Sequence, residues 1–314
     1  MKSKNMNYIF NVEYFDGLFA EKGDDFFVKD AESKVKSKNQ EIFGFNFSAS
    51  EVPFAECKEM EQYQEISLYT LYPGLLVGTG NPHEIAVAGA LKCGFTFDYV
   101  TGLPYITGST LKGMVRSYFP GERKDGSQDK EYTELVKGIL GKQDIDINKL
   151  KENMFETQDV YLGAFPVVDE KNKKVLDMEF ITPHKEKFKS PNPISLVKVR
   201  PAVEFRFSFL FEDYVENGDV LVSADEKTNL CKELLLLAGI GAKTNVGFGK
   251  LSENKPQMHQ VIAPRQNTQR QNTQRQSTQN QNAPICPKCG KNRCNYNKNT
   301  GQYFKTCFAC SQKR

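Results

Sequence analysis

The chain lacks several things that would quickly assign it a class. Nowhere in its 314 residues do 18 apolar residues follow one another, which excludes a membrane-spanning helix. Its first residues carry no apolar run of the secretory type, so a cytoplasmic protein is expected. Only three histidines are present, and of these His83 and His184 are the candidates for acid–base chemistry. No Ser/His/Asp arrangement can be read from spacing, and no paired-carboxylate metal site is evident. Nucleotide loops are missing too. Gly108 is followed by Ser109 and Thr110, not by the spacing and lysine of a phosphate loop. Gly239–Gly249 follows an apolar helix-like run and leads into a strand, the reverse of a dinucleotide-binding turn.

Acidic residues are unevenly spread. Residues 265–314 hold ten Lys or Arg and no Asp or Glu, leaving 32 basic against 39 acidic side chains in residues 1–264. A basic tail on a body of net −7 points to a polyanionic partner for the tail. Any nucleic-acid site on the body must then be a local patch. The cysteines divide in the same way: Cys57, Cys93 and Cys231 stand alone, while five of the eight crowd into the last 30 residues. That spacing suits metal in a reducing compartment better than a disulfide framework.

Cys286-Pro-Lys-Cys289 and Cys307-Phe-Ala-Cys310 are two Cys-x-x-Cys pairs separated by 17 residues. Each pair closes a knuckle, and two knuckles complete a tetrahedron of thiolates around Zn2+. The segment resembles a zinc ribbon, with Cys294 as a surplus thiol. A redox pair would need only one such motif. So short a segment lacks an adequate core, and metal would supply its folding free energy, on the order of 10 kcal/mol. Tyr296, Tyr303, Phe304 and Phe308 lie among Lys291, Arg293, Lys298 and Lys305. Such aromatics either stack on unpaired bases or pack over the metal.

Three domains are expected: a body over residues 1–256, a linker over 257–284 and the ribbon over 285–314. The linker contains RQNTQRQNTQRQSTQNQN (Arg265–Asn282), a five-residue repeat with no aliphatic side chain. It cannot repay its ordering entropy and reads as a disordered tether. In the body, residues 1–63 read as mixed helix and loop. Alternating apolar positions predict strands at Glu65–Leu71 and Ala202–Phe211, the latter with Val203, Phe205, Phe207 and Phe209 on one face. Further strands are expected at Ala90–Val100, Leu103–Ile106 and Val246–Leu251, with a hairpin of Val160–Val168 and Val175–Ile181 around Asp169–Lys174. Helices are expected at Ser109–Phe119, capped by Ser109 or Thr110, at Glu131–Leu140 and at Leu230–Ala238. The class is α+β, with helices on an antiparallel sheet.

Five segments in order carry a more specific likeness: Leu71–Glu84 (LYPGLLVGTGNPHE), Phe95–Arg116 (FTFDYVTGLPYITGSTLKGMVR), Phe180–His184 (FITPH), Pro191–Val199 (PNPISLVKV) and Gly239–Gly249 (GIGAKTNVGFG). They resemble the RAMP proteins of CRISPR systems, and their order and wording are most similar to the sixth-subunit family of type III-B Cmr effector complexes. The resemblance covers roughly Gln64 to Leu251 and does not reach the cysteine-rich tail. It implies a ferredoxin-like (RRM-like) βαββαβ plan with insertions. It also implies a non-catalytic, RNA-binding role in antiviral RNA-guided interference: holding the 3′ side of a guide RNA, meeting the target RNA, and packing against other Cmr/RAMP subunits.

Within that resemblance the candidate RNA contacts are two sets. Ser109 and Thr110 open a helix whose N–H groups and dipole favour phosphate, and Lys112 and Arg116, four residues apart, share one face. Gly113 between them leaves room for close approach. Gly241, Lys243, Thr244 and Asn245 form the tip of the second glycine loop, which the resemblance lays against the guide RNA, with Lys243 on phosphate and Asn245 as a polar contact. His184 and Lys185, in a basic loop after Thr182-Pro183, are candidates for a finger that pries bases apart. Two alternatives stay open: metal-independent RNA cleavage using His83 or His184, and an adaptor whose ribbon recruits a partner protein.

Overall fold

The computed structural model describes residues 5–21, 25–48, 53–121, 130–157, 159–182, 193–257 and 284–290, and the backbone of 296–297 and 302–303. The chain divides into two compact units, Met1–Met258 and His259–Arg314.

The first unit begins with two helices, α1 (Met6–Asn11) and α2 (Ala31–Gly44), and continues through β1 (Tyr63–Thr70), β2 (Ile106–Thr107), α3 (Gly108–Arg116), α4 (Lys130–Leu140) and α5 (Ile147–Glu152). Then come β3 (Val160–Pro166), β4 (Leu176–Ile181), β5 (Ile194–Val199), β6 (Glu204–Leu210), β7 (Tyr214–Glu216), β8 (Asp219–Val222), α6 (Ala224–Ala238) and β9 (Leu251–Ser252). Five strands form an antiparallel sheet in the order β2-β3-β6-β1-β9. Two-stranded sheets β4-β5 and β7-β8 stand apart from it.

Alternation dictates how β6 is used. Phe205, Phe207 and Phe209 are fully buried, each worth about 1.5–3 kcal/mol relative to exposure. They share one core with Leu111 and Val115 of α3 and Leu230, Leu234 and Leu235 of α6. The intervening positions face the other way, where Tyr63 Oη lies 3.0 Å from Ser208 Oγ and Arg206 reaches Glu65. α6 starts at Ala224, six residues before the expected Leu230, because Ser223 and Glu226 form a capping box. Ser223 Oγ accepts from Glu226 N at 3.2 Å, and Glu226 Oε2 accepts from Ser223 N at 2.9 Å. Inside that helix Lys227 is wholly buried and donates to Asp159 (2.7 Å), Asn153 (2.6 Å) and the Glu212 carbonyl (2.7 Å). The pair ties α6 to the entrance of β3.

Several expectations need correction. Val160–Val168 and Val175–Ile181 do not form a hairpin: β3 lies between β2 and β6, while β4 pairs with β5 from Leu176↔Val199 to Ile181↔Ile194. β3 is buried along nearly its whole length and needs partners on both edges, which a local turn cannot provide. Ala90–Val100 is no strand. It makes two isolated bridges, Leu91↔Ser195 and Phe97↔Pro104, and the expected Leu103–Ile106 strand is reduced to Ile106–Thr107. The closing strand is only Leu251–Ser252, because Thr244–Val246 forms a tight helical turn before it.

Residues before β1 belong to the core. Met6, Ile9, Phe10 and Tyr14 are buried. Tyr14 Oη donates to Asn39 Oδ1 (2.9 Å) and accepts from Leu91 N (3.0 Å), and burial pushes its pKa up to about 12. In the second unit Tyr296–Asn297 and Gln302–Tyr303 pair as an antiparallel ladder. Among the described residues no helix is long and apolar enough to cross a membrane.

Candidate nucleic-acid interface

The two glycine segments, distant in sequence, meet at a cleft of 210 Å³ lined by Gly78, Thr96, Tyr105, Thr107, Thr110 and Gly241, among others. On one wall, α3 begins at Gly108 and its cap is Thr107, not Ser109 or Thr110. Thr107 Oγ1 accepts from Thr110 N at 3.2 Å. The helix starts early because it is pressed onto β3: a Cβ at Gly108 would lie 1.8 Å from the Tyr161 carbonyl oxygen. Three hydroxyls therefore gather at the helix start, with Thr107 Oγ1 at 3.0 Å from Ser109 Oγ and 2.8 Å from Thr110 Oγ1.

The opposite wall is the Gly239–Gly249 loop, strapped to the segment after β1. Ala242 N donates to Leu76 O (2.8 Å), Gly249 N to Gly74 O (2.8 Å) and Ile240 N to Gly249 O (2.9 Å). Gly249 has φ +69, and a Cβ there would stand 1.8 Å from Ile240 O, so no other residue fits without a shift. Beyond this strap the tip is free of packing: Lys243 sits at φ +60 and, with Asn245 and Val246, is exposed, while Thr244 is partly buried. The loop is thus a rigid base that presents one cation and one carboxamide.

Not every expected contact joins this cleft. Lys112 and Arg116 do share a face, but it lies over Tyr161 and Phe155, each cation 5.9 Å from a ring centroid. Arg116 also pairs with Glu156 at 2.7 Å. Gly113 between them faces open space, with nothing within 4 Å of an added Cβ. His184 and Lys185 fall outside the described residues; the β4–β5 hairpin that carries them is described to Thr182 and from Pro193. Phe180 on that hairpin is 58% exposed.

His83 is not at a surface. It is 3% exposed, its Nδ1 lies 3.0 Å from Leu91 O and its Nε2 2.9 Å from Phe10 O, and its ring stacks on Phe10 at 3.9 Å. It ties the N-terminal helix to the loop after β1 and has no access to a substrate phosphodiester.

In the second unit Cys286 is buried, and Gly290 N donates to Cys286 O at 2.9 Å with Gly290 at φ +63. That is the backward turn a Cys-x-x-Cys knuckle requires, so Cys286 and Cys289 fit a thiolate metal site. Cys307 and Cys310 lie outside the described residues. Among the described residues no group of three or more His, Cys, Asp or Glu is gathered for a metal.

Sequence reasoning missed Thr107, Gly78, Thr96 and Tyr105 as cleft residues. Thr107 had a signal, a hydroxyl three residues before Thr110; the other three lie within the segments Leu71–Glu84 and Phe95–Arg116 that carry the resemblance, but their meeting in one cleft is tertiary.

The sequence profile of the RAMP superfamily matches residues 67–252 of this chain, a span that includes both cleft walls. Among curated proteins, the CRISPR system CMR subunit Cmr6 of Saccharolobus solfataricus is 31% identical over 169 residues, covering 52% of this chain. The chain spans about half of that relative, 49% of its length. Among solved structures, a chain of the type III-B Cmr-beta complex bound to cognate target RNA aligns with 78% of this chain and 84% of its own, at 23% identity and a TM-score of 0.46. Cmr6 from Pyrococcus furiosus aligns over 61% of this chain and 99% of its own, at 22% identity and a TM-score of 0.38. With such TM-scores, family membership rests on the sequence match.

Proposed function

The chain belongs to the RAMP superfamily, and from that premise we propose that it is a non-catalytic, RNA-binding subunit of a type III-B CRISPR ribonucleoprotein. It holds the 3′ side of the guide RNA in the glycine-lined cleft and packs against neighbouring RAMP subunits, where target RNA is met. The observation that carries this reading is the convergence of two remote glycine segments into one cleft with hydroxyls on one wall and a cation-tipped loop on the other. The Saccharolobus relative, a named CMR subunit, supports the same assignment.

In this reading Thr110 and Ser109 donate hydroxyls to phosphate, Gly241 lets the strand approach the backbone, Lys243 neutralises a phosphate, and Thr244 and Asn245 supply polar contacts. Lys112 and Arg116 flank the strand from the outer face of α3, and His184 with Lys185 act from the β4–β5 hairpin. The ferredoxin-like plan is supported by the chain order β1-α3-β3-β6-α6-β9 laid out as β3-β6-β1-β9. The non-catalytic assignment draws on the sequestered His83. As a subunit of such a ribonucleoprotein, the protein is assigned to the cytoplasm.

The tail is read as a Gln/Asn/Arg-rich disordered linker and a zinc ribbon ligated by Cys286, Cys289, Cys307 and Cys310, with the Cys286–Gly290 turn as support. Bound zinc would fix the two knuckles together and supply the folding free energy, on the order of 10 kcal/mol, that so small a core lacks. Chelation is expected to abolish structure in residues 286–310 with the body's melting unchanged; a global melt would contradict an independent ribbon.

The direct test of function is salt-dependent binding of a guide-length single-stranded RNA to the full chain and to a chain ending at residue 264, with the RNA monitored for cleavage. The body is expected to bind intact RNA, more weakly than the full chain. Binding that vanishes with the tail would move the principal contact to the ribbon, and cleavage would revive the enzyme reading.

A further inference from the structure

A cavity of 620 Å³ in the first unit lies away from the glycine cleft. Its walls are the Asp169–Lys174 turn, the Arg200–Glu204 corner, Tyr69 of β1, Asn46 and Lys255. Three stretches of chain bring five cations here, Lys171, Lys173, Lys174, Arg200 and Lys255, against three carboxylates, Asp169, Glu170 and Glu204. On a body of net −7 this is a concentration of positive charge.

The carboxylates are already engaged. Asp169 accepts from Lys171 N (2.7 Å), Asn172 N (2.8 Å) and Asn172 Nδ2 (2.9 Å), and the Asn172 amide above all holds its carboxyl below the usual range. Glu170 pairs with Lys173 at 2.8 Å, and Glu204 accepts from Tyr69 Oη at 3.0 Å. Lys171, Lys174 and Arg200 form no ion pair among the described residues.

The frame is rigid as well. Arg200 N donates to Val175 O (2.9 Å), and the Arg200 carbonyl accepts from the buried Thr70 hydroxyl (2.7 Å). Ala202 is held at φ +63, uncommon for a residue with a side chain, by its N–H to Thr70 O at 2.7 Å. A corner fixed from both sides sets the Arg200 backbone before binding, so that the ordering cost is confined to its side chain. The size suits a nucleotide unit, and the carboxamides of Asn46 and Asn172 suit ribose or base edges.

We propose that this cleft is a second, separate anion site that holds ribonucleoside phosphate, supplied by the backbone of a single-stranded RNA. It rests on the reading of the chain as an RNA-binding subunit. It also extends the track: β3 pairs with β2 at the glycine cleft through Gly163, and Val167, the residue that follows β3, lines the basic cleft about 13 Å further along the chain.

The experiment measures binding of the full chain to guide-length single-stranded RNA, and separately to ADP, across a salt series. Variants are Arg200→Gln with Lys255→Gln, Lys171→Gln with Lys174→Gln as an independent pair of exposed side chains, and Lys243→Ala as the glycine-cleft control. Each double variant is expected to weaken RNA binding about tenfold and flatten its salt slope by about 1.4, with effects adding to those of Lys243→Ala. ADP binding that disappears in the Arg200/Lys255 variant with RNA affinity unchanged keeps the phosphate chemistry and makes a free nucleotide its source. RNA affinity and slope unchanged in both double variants, with no ADP binding, overturns the proposal. If Lys243→Ala still weakens RNA binding in that case, only the second site falls; if it does not, the RNA-binding reading falls with it.

Discussion

The two clefts of the first unit are built from different materials. The glycine cleft is made of backbone: carbonyls and N–H groups of separate segments approach so closely that Gly108 and Gly249 have no room for a Cβ. Its charge is confined to one exposed lysine at the tip. The basic cleft is made of side chains standing on a fixed corner, and among the described residues no glycine lines it. A backbone-built site offers shape and oriented dipoles, and little that salt can screen. A site of lysines and arginines offers attraction that falls steeply with ionic strength.

The comparison can be broken at its foundations first. The glycine cleft hangs on α6 and β3, which the buried Lys227–Asp159 pair joins. Lys227→Met leaves a buried carboxylate without its partner, and a loss of about 3–5 kcal/mol is expected in urea denaturation. Adding Asp159→Leu should restore part of it: the unpaired charge is gone, while Asn153 and the Glu212 peptide groups still lack the partners they lose.

Next in size, Gly249→Ala forces both a positive φ and an overlap with Ile240 O. It should cost about 1–3 kcal/mol or more, read as a fall in Tm, and reduce RNA binding with it. Gly113→Ala sharpens the contrast. That glycine is helical and open, so alanine should raise stability by up to about 1 kcal/mol, while RNA affinity drops if a strand lies along α3.

Much of this was legible in the sequence, for reasons that differ by element. The β6 phenylalanines alternate because one face must be buried, and they were read correctly. α6 was read six residues short, although Ser223 and Glu226 carried the capping signature. The glycine segments were recognisable as motifs, yet their role as backbone contacts depends on who lies opposite, and no local pattern contains that. The β3/β4 hairpin was misread because β3 takes its partners from β2 and β6, contacts made across distant parts of the chain. The basic cleft was illegible: its cations come from three stretches, each of which reads alone as an ordinary solvated surface.

The smallest expected effects separate the clefts by salt. Lys243→Ala removes one phosphate contact and should lower the salt slope by about 0.7, half the change expected of Arg200→Gln with Lys255→Gln. Equal slopes would mean that the two sites do not differ as described.

The most direct test of the central claim is photo-crosslinking of a guide-length RNA carrying 4-thiouridine to the full chain, with adducts mapped to peptides. Adducts within residues 96–110 and 241–246 are predicted, from the two walls of the glycine cleft. Adducts confined to residues 265–314, with none in the first unit, would contradict the account.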